Sequence, residues 1–208
     1  MKKYLFTGLI AIAVVGMFFG ITSEPMANGK VRVDQAAIDF TLTDTNGNQV
    51  SLSDYQGKYV VLEWINYDCP FVRKHYESGN MQALQKTYTE KGVVWLAICS
   101  NKPGSQGNFE NAEIQERWKN HGSTLTAYLK DEDGAVGRIY GATNTPHMYV
   151  VNPEGTLVYM GAIDSIPSSR ESDIEAADNY VSMTLDAVMA GSDVPVKATK
   201  AYGCTVKY

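Results

Sequence analysis

The chain has 208 residues, of which 44% are hydrophobic and 20% charged, and this balance fits one globular domain with its own core. Its formal net charge is -5 and it has no basic cluster outside the N-terminus, so nucleic-acid binding is disfavoured. The three cysteines are too few for a disulfide scaffold, and they form neither a Cys-x-x-Cys pair nor a zinc-type spacing.

The N-terminus has the pattern of an export signal. Two lysines follow the initial methionine, and residues 4–21 are an apolar run. The run is close to the length of a membrane-spanning helix, so cleavage after Ala27 and retention as an anchor both stay open. We expect residues 1–27 to be a signal peptide or membrane anchor and residues 28–35 a linker. The domain would then be periplasmic or held at the outer face of the cytoplasmic membrane.

The next segment predicts a β-hairpin that leads into a buried strand. Residues 39–44 alternate between apolar and polar, residues 46–48 are the turn sequence Asn-Gly-Asn, and residues 49–52 return. Residues 59–65 are mostly apolar and predict a strand of the central sheet. This strand contains Glu63, and the sequence does not decide whether its side chain faces solvent or the site.

The candidate reactive group lies where this strand ends. Cys69 is followed by Pro70, and proline is favoured at the first position of a helix. Cys69 is therefore expected to cap that helix, where free N–H groups and the helix dipole favour thiolate over thiol. Arg73 and Lys74 add positive charge nearby. The competing interpretation is a small buried hydrophobic residue, but the order strand, cysteine, proline, helix favours a reactive thiol.

Strands and helices alternate through the rest of the domain. The patterns predict, in order, a helix interrupted near Ser78-Gly79, a strand at 93–99, a helix at 109–121, a strand at 125–129, a helix at 132–140 and a hairpin of 147–151 with 156–160. Ser172 and Glu175 form a capping box that predicts the start of a last helix, which ends at Gly191. Cys99 ends a buried strand and is expected to be a packing residue. This order predicts a three-layer α/β domain with right-handed crossovers.

Three features together resemble the thioredoxin superfamily, and within it the redoxins, which include peroxiredoxins of the alkyl hydroperoxide reductase type. They are the N-terminal hairpin with the strand after it, the Cys69-Pro70 junction, and the loop of residues 140–147. That loop contains Thr145-Pro146 and resembles the thioredoxin loop whose cis-proline faces the active cysteine. The resemblance implies a three-layer thioredoxin-like fold with a central mixed sheet and an N-terminal β-hairpin.

The resemblance covers residues 36–191 and leaves residues 192–208 as a C-terminal tail. The chain departs from the family pattern at two positions beside Cys69. Val72 stands where a thioredoxin-type reductase has its second cysteine, so dithiol exchange within one helical turn is excluded. Asn66 stands where peroxiredoxins have a threonine, and its side-chain amide could still donate a hydrogen bond.

The resemblance implies a thiol-dependent, peroxiredoxin-like oxidoreductase that acts through Cys69 without a metal or another cofactor. The thiolate would attack a peroxide or a protein disulfide, and an external thiol would supply the electrons. The residues expected to line the site are Asn66, Pro70, Arg73, Thr145 and Pro146. The competing hypothesis is a non-enzymatic module, either an interaction domain or a carrier that binds copper through Cys69 with His75 or His147.

The tail carries Cys204, a candidate resolving cysteine. The lack of a periodic pattern and the presence of Gly203 allow the tail to move. Tyr202 and Val206 indicate that it packs on the domain, and packing over the helix that follows Cys69 would bring the two thiols together. The competing interpretation is a structural tail with a bystander thiol.

Overall fold

The computed structural model describes residues 30–208, so the predicted signal or anchor segment lies outside the described residues. Within that range, no helix combines the length and the apolar character that crossing a membrane requires. The strands are β1 (Thr41–Asp44), β2 (Gln49–Ser51), β3 (Val60–Trp64), β4 (Val94–Cys99), β5 (Ala127–Lys130), β6 (Asn144–Thr145), β7 (His147–Val151), β8 (Leu157–Gly161) and β9 (Cys204–Thr205). The α-helices are α1 (Pro70–Glu77), α2 (Asn80–Thr89), α3 (Asn111–His121), α4 (Ala135–Tyr140) and α5 (Tyr180–Met189).

Seven strands form one mixed sheet in the order β2-β1-β5-β4-β3-β7-β8. Strands β3, β4 and β5 are parallel, whereas β7, β8 and the β1–β2 hairpin pair in antiparallel fashion. Strand β3 is an interior strand, between β4 and β7, and all five of its residues are buried. This architecture confirms the predicted thioredoxin-like fold with a mixed sheet and an N-terminal hairpin.

Each face of the sheet has its own hydrophobic core, because successive side chains of a strand point to opposite faces. Val61 and the buried residues of α1, α2 and α5 form one core, which includes Cys69. Leu62 and Trp64 contribute to the other core, together with residues of α4 and of the segment before β1. The sheet lies between these two cores, so the domain has three layers. Helix α1 begins just beyond the carboxyl end of β3.

Helix α5 begins later than the capping box predicted. Ser172 and Glu175 do not start it, since Glu171–Asp173 form only a 3-10 turn. Asn179 caps the helix, and its side-chain oxygen accepts two N–H groups of the first turn at 3.1 and 3.0 Å. Ile174, the apolar residue inside the capping box, is only half-buried, and the two residues after it are exposed. A short segment without an apolar face to bury gains too little from packing to hold a helix.

The C-terminal residues 192–208 pack along the domain, as the sequence predicted. The tail first pairs with β8. The Met160 N–H donates to the Lys197 carbonyl, and the Thr199 N–H donates to the Met160 carbonyl, each at 3.1 Å. It then pairs with β6 through β9, and it ends with the Tyr208 hydroxyl donating to the Ala142 carbonyl at 2.6 Å. The tail is thus bound at three successive places, and its course brings Cys204 into a separate two-stranded sheet with β6.

Candidate active site

Cys69 is the N-cap of α1, with extended backbone angles of φ -74° and ψ 123°, and Pro70 is the first helical residue. The Cys69 carbonyl accepts the N–H groups of Val72 and Arg73, each at 2.9 Å, which fixes the first turn. Both features confirm the N-cap position that the sequence predicted, but the Cys69 side chain accepts no hydrogen bond from the first turn of α1, whose N–H groups of Val72 and Arg73 go to the Cys69 carbonyl. The side chain of Cys69 is fully buried, with 0% of the residue exposed.

The loop before β7 contacts this sulfur. The Thr145-Pro146 bond is cis, and the Cys69 thiol donates to the Thr145 carbonyl at 3.1 Å. The contact follows from the sheet, because β7 is antiparallel to β3 and its first residue, His147, pairs with Trp64. The cis bond and its place beside Cys69 are therefore confirmed.

Cys204 lies directly against Cys69. Strand β9 pairs with β6 so that Cys204 faces Thr145, and the Cys204 main-chain N–H donates to the Cys69 sulfur at 3.3 Å. Both thiols are free, and Cys204 is partly exposed. Partial burial and the neighbouring Cys69 sulfur raise the pKa of the Cys204 thiol above its ordinary value. The arrangement holds two thiols that are 135 positions apart in the chain within reach of one another.

Asn66 shapes the turn before Cys69. Its side-chain oxygen accepts the Asp68 N–H at 2.9 Å, and its carbonyl accepts the Cys69 N–H at 3.0 Å. Within residues 30–208, the Cys69 sulfur has no hydrogen bond from the Asn66 amide and accepts one from the tail instead. The space beside Asn66 is closed by Gly107, where an added Cβ would collide with the Asn66 side chain.

The two basic residues after Cys69 are bound to carboxylates. The Arg73 guanidinium pairs with Glu77 at 2.7 Å, and the Arg73 side chain is 55% exposed in an open groove that Arg117 also lines. Lys74 is buried and pairs with Asp164 at 2.9 Å. Their charges are therefore largely compensated, and only the main-chain N–H of Arg73 contacts Cys69.

The structure buries Glu63 completely between the sheet and helices α1 and α2. One carboxylate oxygen accepts the Tyr76 hydroxyl at 3.0 Å. The other accepts the Trp95 indole N–H at 2.7 Å and the Gln85 amide at 3.5 Å. Burial outweighs these hydrogen bonds and raises the pKa of Glu63 to about 7. In the sequence, only the presence of a polar residue within an apolar strand indicated that Glu63 is unusual. Glu63 lies six positions before Cys69.

The histidines that the copper hypothesis paired with Cys69 are engaged elsewhere. The Nδ1 atom of His75 lies 2.8 Å from the Asn80 amide, and His147 stacks on Tyr149 with 4.6 Å between ring centroids. Burial lowers the pKa of both imidazoles to about 4, so both are neutral near pH 7. In the part of the chain that the structure describes, no three His, Cys, Asp or Glu side chains are grouped to hold a metal ion.

Cys99 occupies the buried end of β4, as predicted for a packing residue. Its thiol donates to the Gly107 carbonyl at 3.3 Å, and burial raises its pKa. Burial that disfavours the thiolate also lowers the reactivity of a cysteine. Cys99 therefore has the features of a structural thiol.

Two curated relatives are similar to this chain, one over less than half of its length and the other over most of it. A glutathione peroxidase from Lactococcus lactis subsp. cremoris (strain MG1363) is 34% identical over 93 residues, which are 44% of this chain and 57% of that protein. The thiol-disulfide oxidoreductase ResA from Bacillus subtilis (strain 168) is 28% identical over 161 residues, which are 76% of this chain and 84% of that protein.

A solved structure shares the fold, and a family model matches the sequence. The crystal structure of a hypothetical protein from Sinorhizobium meliloti 1021 superposes with a TM-score of 0.72 at 26% identity, covering 86% of this chain and 96% of that chain. Residues 33–160, more than half of the chain, match the model of the AhpC/TSA family. The chain therefore belongs to the AhpC/TSA family and is, at the level of that family, a thiol-dependent oxidoreductase.

Proposed function

We propose that this chain is an exported, peroxiredoxin-like hydroperoxide reductase in which Cys69 is the nucleophile and Cys204 is the resolving thiol. The single observation that carries the proposal is the contact between the two cysteines, in which the Cys204 N–H lies 3.3 Å from the Cys69 sulfur. The family and the glutathione peroxidase relative support a peroxide as oxidant, and the ResA relative supports disulfide chemistry.

The two cysteines have different roles because their surroundings differ. Cys69 is the N-cap of α1, and its sulfur accepts an N–H from the tail. Cys204 has no helix dipole, and its raised pKa keeps it a thiol until it attacks. A place at a helix N-terminus is typical of nucleophilic cysteines, so Cys69 reacts with the oxidant first.

The proposed cycle has three balanced steps. Cys69 attacks the terminal oxygen of a hydroperoxide, so that the O–O bond breaks, Cys69 becomes a sulfenic acid and the hydroperoxide leaves as an alcohol or water. The Cys204 sulfur then attacks the Cys69 sulfur, forming the disulfide and releasing the oxygen as water. Two equivalents of an external thiol reduce this disulfide and leave as their own disulfide.

The burial of Cys69 favours a small oxidant over a protein disulfide. No part of Cys69 is exposed, and β9 occupies the edge of β6, next to the cis-proline. A polypeptide with a disulfide would have to displace the tail before its sulfur could meet Cys69. A hydroperoxide needs only a small opening at the same place.

Export rests on the leader pattern of residues 1–27, and this segment is either cleaved after Ala27 or kept as a membrane anchor. Fractionation of cells that produce the full chain should find it outside the cytoplasm, either free or with the cytoplasmic membrane. Cytoplasmic accumulation would contradict export but would leave the thiol chemistry unaffected.

Peptide mapping under non-reducing conditions tests the thiol chemistry. One equivalent of hydrogen peroxide is added to the wild type, to Cys204→Ser and to the matched control Cys99→Ser. We expect a peptide linked through Cys69 and Cys204 in the wild type and the control, and a Cys69 sulfenic acid that reacts with dimedone in Cys204→Ser. Identical products in the wild type and Cys204→Ser would remove Cys204 from the mechanism.

A further inference from the structure

A buried carboxylate connects the helix of Cys69 to the tail of Cys204. Asp164 follows β8 and is 4% exposed. One of its oxygens accepts the Lys74 ammonium at 2.9 Å, and the other accepts the Tyr202 hydroxyl. Lys74 lies on α1, five positions after Cys69, and Tyr202 lies two positions before Cys204. One carboxylate thus binds both segments that carry the two thiols, and we call Lys74, Asp164 and Tyr202 the latch.

The Tyr202 side chain is held on several sides. Its ring meets the ring of Phe71, the second residue of α1, edge to face with 5.8 Å between centroids. The Lys74 ammonium lies 5.8 Å from the centre of the Tyr202 ring. Burial and the Asp164 charge raise the pKa of Tyr202, so its hydroxyl stays protonated and continues to donate. The tail is therefore attached to the helix that begins at Cys69.

The residues after Tyr202 carry this attachment to the second thiol. Gly203 has φ +115° and lies so close to the Thr145 carbonyl that no Cβ would fit. The Asn144 amide donates to the Gly203 carbonyl at 2.9 Å, and Cys204 then pairs with Thr145. Tyr202 on one side and β9 on the other leave Cys204 little freedom to move away from Cys69.

The chemistry of the latch argues for a positional role. A buried ion pair contributes little net stability compared with apolar side chains of the same volume, because desolvation offsets the attraction. Such a pair does fix geometry, since each charge must stay with its partner. Here the fixed geometry lies between α1 and the tail, which are the segments that must meet when the disulfide forms.

We propose that Asp164 and Tyr202 are positioning residues for the resolving step. They hold the Cys204 thiol at the Cys69 sulfenic acid, so that the S–O bond breaks, the S–S bond forms and water leaves before a second peroxide oxidises Cys69 further. This inference rests on the proposed function, because it assigns a device to the second step of that cycle. It adds no group to the first step, in which Cys69 meets the peroxide.

The test is Tyr202→Phe, which removes the hydroxyl and keeps the ring against Phe71. Tyr59→Phe is the matched control, because the Tyr59 hydroxyl also donates one hydrogen bond, to the Val188 carbonyl at 3.0 Å. Rapid mixing with hydrogen peroxide, followed by quenching and mass spectrometry, gives the rates of sulfenic acid and disulfide formation separately. A hydrogen bond to a charged group commonly shifts an equilibrium by roughly tenfold or more, so Tyr202→Phe should slow disulfide formation by about that factor.

The same variant should form the sulfenic acid at the wild-type rate within about twofold, and it should accumulate Cys69 sulfinic acid under excess peroxide. Tyr59→Phe should match the wild type in both steps. A second variant, Lys74→Met with Asp164→Leu, removes the latch without leaving a buried unpaired charge and should show the same selective delay.

Two outcomes separate this inference from the proposed function. A wild type that forms no Cys69–Cys204 disulfide would overturn the resolving role of Cys204, and the latch would then have nothing to position. A wild type that forms the disulfide, with both latch variants forming it equally fast, would overturn the latch and leave the proposed function intact.

Discussion

At the scale of single residues, the Cys69 sulfur receives its hydrogen bond from a main-chain group of the tail. Asn66 and Arg73, which flank Cys69 in sequence, were expected to line the site. In the structure, the Asn66 side chain accepts an N–H within the turn before Cys69, and the Arg73 guanidinium pairs with Glu77. The Cys204 N–H takes the place beside the sulfur. The tail therefore supplies the hydrogen bond to the Cys69 sulfur that the Asn66 amide was expected to be able to supply.

Local sequence predicted Cys69 well because its signals are local. Proline after a cysteine at the end of an apolar strand indicates a helix N-cap, and this depends on neighbours only. Glu63 could not be placed from sequence, because its three hydrogen-bond partners come from two helices and another strand. The pairing of Asp164 with Tyr202 was missed for the same reason, since 38 positions separate them and no motif links them.

Glu63 gives a prediction about stability and pH. Its pKa is raised from 4.5 to about 7 in the folded protein, so the unfolded chain loses this proton at lower pH than the folded chain does. Ionisation of Glu63 therefore weakens folding as the pH rises from about 4.5 to about 7, by roughly 3 kcal/mol in total. Glu63→Gln removes this titration.

Urea unfolding at pH 5 and pH 8 checks this prediction. Relative to the wild type, Glu63→Gln should become more stable at pH 8 than at pH 5 by about 2.5 kcal/mol, since part of the effect is already present at pH 5. Glu154→Gln serves as the control for removing one carboxylate at an exposed position. A difference between wild type and Glu63→Gln that stays constant with pH would show that Glu63 does not titrate in this range.

At the scale of elements, periodicity predicted the central strands and most helices, because each has a long apolar face. It failed at the start of α5, where a capping-box sequence lies in a segment without such a face. Strand β9 has two residues and no period, so its pairing with β6 could not be read from the tail. The pairing depends on how the domain places the edge of β6, which is a tertiary property.

Gly203 tests the role of β9. Its φ of +115° strains any other residue, and an added Cβ would also collide with the Thr145 carbonyl. Gly191 has φ +70° with open space around it, so Gly191→Ala should cost about 1 kcal/mol from the backbone alone. Gly203→Ala should release β9 from β6, and limited proteolysis should then cleave the tail faster than in Gly191→Ala. Equal cleavage in the two variants would mean that the close approach at Gly203 does not hold the strand.

At the scale of the whole molecule, the tail completes the site that the domain begins. The redoxin domain supplies Cys69 and the cis-proline loop, and the tail supplies Cys204 and a cover over the sulfur. Under the proposed function, Cys204 takes the part of the second cysteine that is missing one turn along α1, where Val72 stands. The sequence predicted the domain and allowed the tail to reach Cys69, but the packing of the tail on β8, on β6 and beside α1 required the folded structure.

The central claim is that oxidation joins Cys69 to Cys204 within one chain, and counting thiols tests it most directly. The reduced protein, which has three cysteines, receives one equivalent of hydrogen peroxide at several protein concentrations, and free thiols and intact mass are then measured under denaturing conditions. We predict one remaining thiol per chain, a monomer lighter by about 2 Da, and a yield that does not depend on protein concentration, because the reaction is intramolecular. Two remaining thiols on a monomer that has gained an oxygen, or a disulfide-linked dimer whose yield rises with concentration, would contradict the account.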